Sequence, residues 1–143
     1  MAKAGPLIII EDDADDREQF SEVFQQLGFK HELVFFRSAE EALEFLSSTS
    51  EQPFLILSDI NLPGMNGFEF HEAIKRDHQL RTKSIPFIFF TTTDQNYFVE
   101  KAYALNVQGF FQKPSSFIKL KLTLFSITDY WERCLHPLWE KGS

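Results

Sequence analysis

The chain has 143 residues, 43% of them hydrophobic and 24% charged, which is most simply one soluble domain with a proper core. A formal net charge of −7 argues against a nucleic-acid surface, because phosphate contacts need clustered Lys and Arg. A single cysteine, Cys134, excludes an internal disulfide, and the apolar opening is too short for a signal peptide or a membrane span; a cytoplasmic protein is expected.

In chain order, Leu7 to Ile10 is an apolar run that stops at Glu11. From Asp15 the pattern turns helical, with Phe20, Val23, Phe24 and Leu27 at three- and four-residue spacing and Gly28 as the stop. His31 to Phe36 reads as a second strand. Ser38 and Glu41 have the spacing of a capping box opening a second helix over Ala42, Leu43, Phe45 and Leu46. Phe54 to Leu57 is a third strand, Gly67 to Asp77 a third helix, and Pro86 to Phe90 a fourth strand. "TTTD" follows, with one threonine expected to cap a helix from about Gln95 to Leu105. Val107 to Gln112 is the fifth strand, and Ser115 to about Leu135 a last helix that Pro137 ends.

Five strands thus alternate with five helices. Runs such as "LIII", "FLIL" and "FIFF" do not alternate apolar with polar, so both faces of those strands should be covered, as in a parallel sheet flanked by helices. The expected fold is a doubly wound, flavodoxin-like α/β domain. Most of the seventeen phenylalanines should line its core.

Ligands of such sheets bind beyond the carboxyl ends of the strands. That rim would hold Glu11, Asp12 and Asp13 after strand 1, Asp59 after strand 3, Thr91, Thr92 and Thr93 after strand 4, and Lys113-Pro114 after strand 5. Each has a plain structural reading. The first acids bias a helix start, Asp59 makes an Asx-turn before Pro63-Gly64, the threonines cap, and Lys113 snorkels over the core. Crowded carboxylates, however, raise one another's pKa unless a cation neutralises them. Hard oxygens without thiolate or histidine nearby suit Mg²⁺. Zinc does not fit: His31, His71, His78 and His136 show no ligand spacing. Pro114 forces Lys113 into an extended conformation and could hold the bond between them cis. A carboxylate acceptor, acids for Mg²⁺, a hydroxyl and an ammonium together make a phosphoryl-transfer site.

The pieces "IIIEDD", "LSDINLPGMNGFEF", "IPFIFFTTT" and "GFFQKP", in that order, resemble the receiver domain of bacterial two-component response regulators, from Leu7 to about Trp131. The strand ending in Asp followed by x-x-L-P-x-M-x-G is the most specific of them. The resemblance implies that Asp59 is the phospho-acceptor. Glu11 and Asp12 would be the acidic pair for Mg²⁺ or Mn²⁺, with Asp13 entering if "EDD" slips by one residue. Asn61 would lend its backbone carbonyl to the metal. Thr91 matches the switch hydroxyl, Lys113 the lysine of the K-P motif, and Phe110 the aromatic switch position. Three departures stand out: Thr92 where a small residue is usual, Phe110 where tyrosine is common, and Thr93 with Asn61 at positions that tune dephosphorylation.

No output domain follows, so a stand-alone receiver is expected, with a core of about 7–131 and a C-terminal extension over 132–143. The segment "SIPFIFFTTT" and the end "ITDYWERCLHPLWEK" look similar to phytochrome-associated receivers. The implied partners are a sensor histidine kinase or phosphotransfer protein and an unidentified downstream protein, with neither nucleic acid nor membrane. Phe117, Phe125, Tyr130, Trp131, Leu138 and Trp139 form either a lid on the core or an interface, and a homodimer is expected from the second. Two other classes compete. An aspartyl phosphatase needs a second Asp where Asn61 stands, and a flavodoxin-like carrier needs a hydroxyl- and glycine-rich loop where "EDDADD" stands.

Overall fold

In a computed structural model that describes residues 5–93 and 95–139, the unalternating apolar runs are strands with both faces covered. The elements are β1 (Leu7–Ile10), α1 (Ala14–Gln26), β2 (Leu33–Phe36), α2 (Ala39–Ser48), β3 (Leu55–Ser58), α3 (Gly67–Arg76), α4 (His78–Thr82), β4 (Phe87–Thr91), α5 (Asn96–Ala104), β5 (Gly109–Gln112) and α6 (Phe117–Arg133). The five strands form one parallel sheet in the order β2-β1-β3-β4-β5. The winding reverses between β1 and β3, which opens a crevice beyond their carboxyl ends.

Side chains alternate across the sheet into two apolar layers. Leu7, Ile9, Leu55, Leu57, Ile88 and Phe90 face α1 and α6, meeting Phe20, Phe24, Leu120 and Leu124. Ile8, Ile10, Ile56, Phe87 and Phe89 face the other helices, meeting Ala42, Leu46, Phe68, Phe70, Leu80 and Ala102. Each of the four β1 residues is at most 1% exposed, and burying such a side chain contributes about 1.5–3 kcal/mol. Of the seventeen phenylalanines only Phe125 is exposed.

Several local expectations change. There are six helices among the described residues, not five: Asp77 ends α3 and at once caps α4, its carboxylate accepting the Leu80 N–H at 3.1 Å. One residue doing both jobs hides the break in the pattern. Ser38 accepts the Glu41 N–H at 3.2 Å, but Glu41 does not reciprocate; the complete capping box is Asn66 with Glu69, both bonds 2.9 Å. No threonine side chain caps α5, whose N-cap is Gln95. Thr91 is the last residue of β4 rather than the first beyond it. No cis peptide bond occurs among the described residues, so Lys113–Pro114 is trans.

Past α6 the chain folds back over the amino-terminal end of the sheet. Trp139 is 6% exposed, packs on Phe54 at 5.2 Å and stacks on His136 at 4.5 Å. His136 Nε2 donates to the Ser84 carbonyl at 2.7 Å. This part of the extension is a lid. His31, sandwiched near Phe54, donates from Nδ1 to the Gly5 carbonyl at 2.9 Å and meets Glu132 of α6 through Nε2. Leu135, Leu138, Phe125 and Tyr130 remain exposed.

His71 on α3 is buried edge-on against Phe87. Burial pulls its pKa below the ordinary histidine value, and the Lys75 charge adds to this. The unfolded chain therefore takes up the proton first, so this contribution is full above about pH 6.5 and is lost as pH falls through the lower folded value. Thermal melts between pH 7.5 and 5 should show a loss of stability that His71→Leu reduces; an unchanged pH slope in the variant would contradict this.

Candidate functional site

Asp59 is delivered to the crevice by β3 with little freedom. Its N–H donates to the Ile10 carbonyl at 3.1 Å, continuing the β1–β3 ladder. Its Oδ1 accepts the Ile60 N–H at 2.7 Å and the Asn61 N–H at 3.3 Å. The turn reading of this residue therefore holds for one of its two oxygens. Oδ1 shapes the loop, and Oδ2 lies 3.2 Å from Lys113 Nζ. The side chain is only about 10% exposed.

The loop after Asp59 is held close. Gly67 opens α3 directly beneath it: a Cβ there would sit 2.5 Å from the Asp59 carbonyl oxygen and 2.9 Å from Ile60 Cα. Its N–H donates to the Ile60 carbonyl at 2.9 Å. From α2, Glu40 Oε2 accepts the Met65 N–H at 3.0 Å. Asn61 is exposed at the rim.

β1 supplies the second group of acids. Glu11 is 2% exposed, and its N–H donates to the Phe36 carbonyl at 2.9 Å. The carboxylate oxygens of Glu11, Asp12 and Asp59 come within 4.8 Å of one another. Asp13 is occupied elsewhere, as the N-cap of α1, with its Oδ1 accepting the Asp16 N–H at 3.0 Å. Of the three acids in "EDD", Glu11 and Asp12 lie beside Asp59, whereas Asp13 caps α1.

β5 supplies the cation. The Lys113 N–H donates to the Thr91 carbonyl at 2.7 Å, which ties β5 to β4 just below the rim. The ammonium pairs with Glu11, with Asp16 at 3.0 Å and with Asp59. Burial alone would lower the lysine's pKa; the hydrogen bond and charge of Glu11, with Asp59 and Asp16, more than reverse this and raise it. Glu11 shows the opposite balance, since burial raises its pKa and Lys113 only partly offsets this. The four carboxylates outnumber the ammonium, so the pocket favours a further cation. Three hard oxygen donors in this arrangement fit a divalent ion of the Mg²⁺ or Mn²⁺ type.

Thr91 ends β4 at the same edge of the sheet. It is fully buried, and its Oγ1 has no hydrogen-bond partner, although buried hydroxyls are normally bonded. Phe110 on β5 stands in register with Phe89 of β4, the rings 6.1 Å apart. Two residues of the site were not picked out from the sequence. Asp16 looked like one more acid at a helix start, and Glu40 lies 25 positions from the loop it holds. Only the three-residue step from the Asp13 cap hints at Asp16, and nothing local hints at Glu40.

An open 2-1-3-4-5 sheet with a carboxylate trio, a buried lysine and a strand-end hydroxyl at its switch point defines a phosphoryl-handling signalling fold. The model of the response regulator receiver domain matches residues 7–125, and the chain belongs to that family. It is 30% identical over 130 residues to response regulator Rcp1 of Synechocystis sp., covering 87% of each chain. To the probable methanogenesis regulatory protein FilR2 of Methanothrix harundinacea it is 30% identical over 129 residues, covering 87% of this chain and 82% of that one. Among solved structures, the Mn²⁺-bound form of Rcp1 superposes with a TM-score of 0.80 at 28% identity, over 92% of this chain and 97% of that one. The phosphorylated cyanobacterial phytochrome response regulator RcpA gives 0.82 at 25% identity, over 93% and 97%. The chain is thus a signalling protein of two-component systems rather than a multi-turnover enzyme, and the phosphatase and flavodoxin readings fall away. None of its described helices is long and apolar enough to cross a membrane.

Gly67→Ala tests how tightly the loop is built. The added methyl group meets backbone rather than a flexible side chain, so a loss of about 1–3 kcal/mol in denaturant unfolding is expected. A variant as stable as the parent would show that the loop yields freely.

Proposed function

We propose that Asp59 accepts a phosphoryl group from a phosphohistidine carried by a sensor histidine kinase or phosphotransfer protein. The observation that carries this reading is the convergence of Glu11, Asp12 and Asp59 within 4.8 Å around an ammonium that touches Asp59. Asp59 Oδ2, the oxygen not committed to the loop, attacks phosphorus. The P–N bond breaks, its electron pair leaves with the imidazole nitrogen, and an acyl phosphate forms. Reset is hydrolysis: water adds to phosphorus, the bond to Asp59 breaks, and phosphate leaves the carboxylate behind.

Glu11, Asp12 and Asp59, with the backbone carbonyl of Asn61, would hold Mg²⁺ or Mn²⁺. When bound, that ion offsets negative charge gathering on the transferring phosphoryl group. Lys113 takes one remaining phosphoryl oxygen. The Thr91 hydroxyl, buried without a partner, donates to another. That bond draws on β4, and Phe110 in the adjacent strand responds, so the face made by α5, β5 and α6 changes its preference for a downstream partner. The Mn²⁺-bound and phosphorylated relatives support the reading by likeness.

The whole chain, 1–143, acts as one receiver unit, with 132–143 as an extension. Phe125 and Tyr130, exposed on α6, provide the surface for a homodimer. Sedimentation with and without beryllofluoride should show association strengthened by the phosphoryl mimic, and a monomer under both conditions would remove the dimer.

Incubation with acetyl phosphate and Mg²⁺ should add one phosphoryl group by intact mass. Asp59→Asn, or chelation with EDTA, should abolish the adduct. Undiminished labelling of Asp59→Asn would overturn the acceptor assignment.

A further inference from the structure

Asp16 stands outside the trio that can share a divalent ion, yet it holds the same ammonium. Its Oδ2 lies 3.0 Å from Lys113 Nζ. The first turn of α1 fixes it there, because Asp13 accepts the Asp16 N–H at 3.0 Å. The neighbouring Arg17 donates to the Glu11 carbonyl at 2.9 Å, pinning that turn to the end of β1. The other two partners of Lys113, namely Glu11 and Asp59, both belong to the trio. A metal ion and an ammonium repel each other between the same two carboxylates. If the ion enters, the lysine must give ground. Its side chain is 9% exposed, so water is a poor substitute partner, and stripping a buried charge of its partners is costly.

We propose that Asp16 is a positioning residue for Lys113, receiving the ammonium when a divalent ion claims Glu11 and Asp59. The inference rests on the metal reading of the trio given above. Asp16 is suited to the part because it is a full carboxylate already in contact, about a third exposed, and free of the trio. The lysine exchanges three shared anions for one of its own without leaving the rim. It remains beside Asp59, within reach of an arriving phosphoryl group, and ceases to compete for the metal. A chain lacking Asp16 would hold the ammonium and the ion in direct conflict, so metal affinity depends on a residue that does not ligate the metal.

Manganese binding, read by electron paramagnetic resonance as loss of the free-ion signal, tests this on four proteins. They are the parent, Asp16→Asn, Lys113→Met and the double variant. Asp16→Asn should weaken binding roughly fivefold in the parent. Lys113→Met should tighten binding, and adding Asp16→Asn to it should change affinity by less than about twofold, the two sites being coupled through the ammonium. Asp16→Glu, which keeps the charge, should recover most of the loss. Unchanged binding by Asp16→Asn overturns the proposal. So does an equal loss in both backgrounds, since that is a through-space charge effect which needs no lysine. A parent that binds no manganese overturns the metal reading itself, an outcome distinct from either of these.

Discussion

The Lys113 ammonium is the constraint around which the crevice is organised. Carboxylates at the dry end of a sheet cannot all stay ionised without a cation among them. Glu11, Asp59 and Asp16 each meet that one nitrogen, and they arrive on three different elements. The ends of β1 and β3 and the start of α1 must therefore lie level with the end of β5. The sheet provides this register: Ile10 pairs with Ser58, and Thr91 with Gln112, so the residues that follow emerge at one level. A shift of any one strand would strand a charge in an apolar layer.

Asp59 shows how such a site keeps a carboxylate both fixed and available. Two backbone N–H groups hold Oδ1, and the loop they shape is compressed against α3 at Gly67. Oδ2 stays on the charged side of the pocket. Fixing one oxygen aims the other toward the Lys113 ammonium. The Thr91 hydroxyl is the complementary case, a buried group left without a partner at the end of β4.

The fold was legible in the sequence because its strands are uninterrupted apolar runs and its helices repeat at 3.6. "LIII" and "FIFF" can hardly be anything but strands covered on both faces. What escaped was punctuation. Asp77 ends one helix and starts another without any change in pattern, and the capping box sits at Asn66 and Glu69 rather than Ser38 and Glu41. At the site, strand ends give position along the rim but not direction. Glu11, Asp59 and Lys113 meet at the rim because each directly follows a strand, while Thr91, expected just past β4, is its last residue. Asp16 was not singled out, because facing Lys113 depends on the rotation of α1, which the Asp13 cap sets.

The placement of the aromatic tail has a practical side. The chain's two tryptophans both pack in the layer shared with α1 and α6, and Trp139 lies against Phe54, at the opposite end of β3 from Asp59. Intrinsic indole emission is therefore a readout of the tail's docking and of the far end of the sheet. An optical titration that stays flat would show a quiet tail, not an idle crevice, and chemistry at the rim has to be watched with a probe placed there.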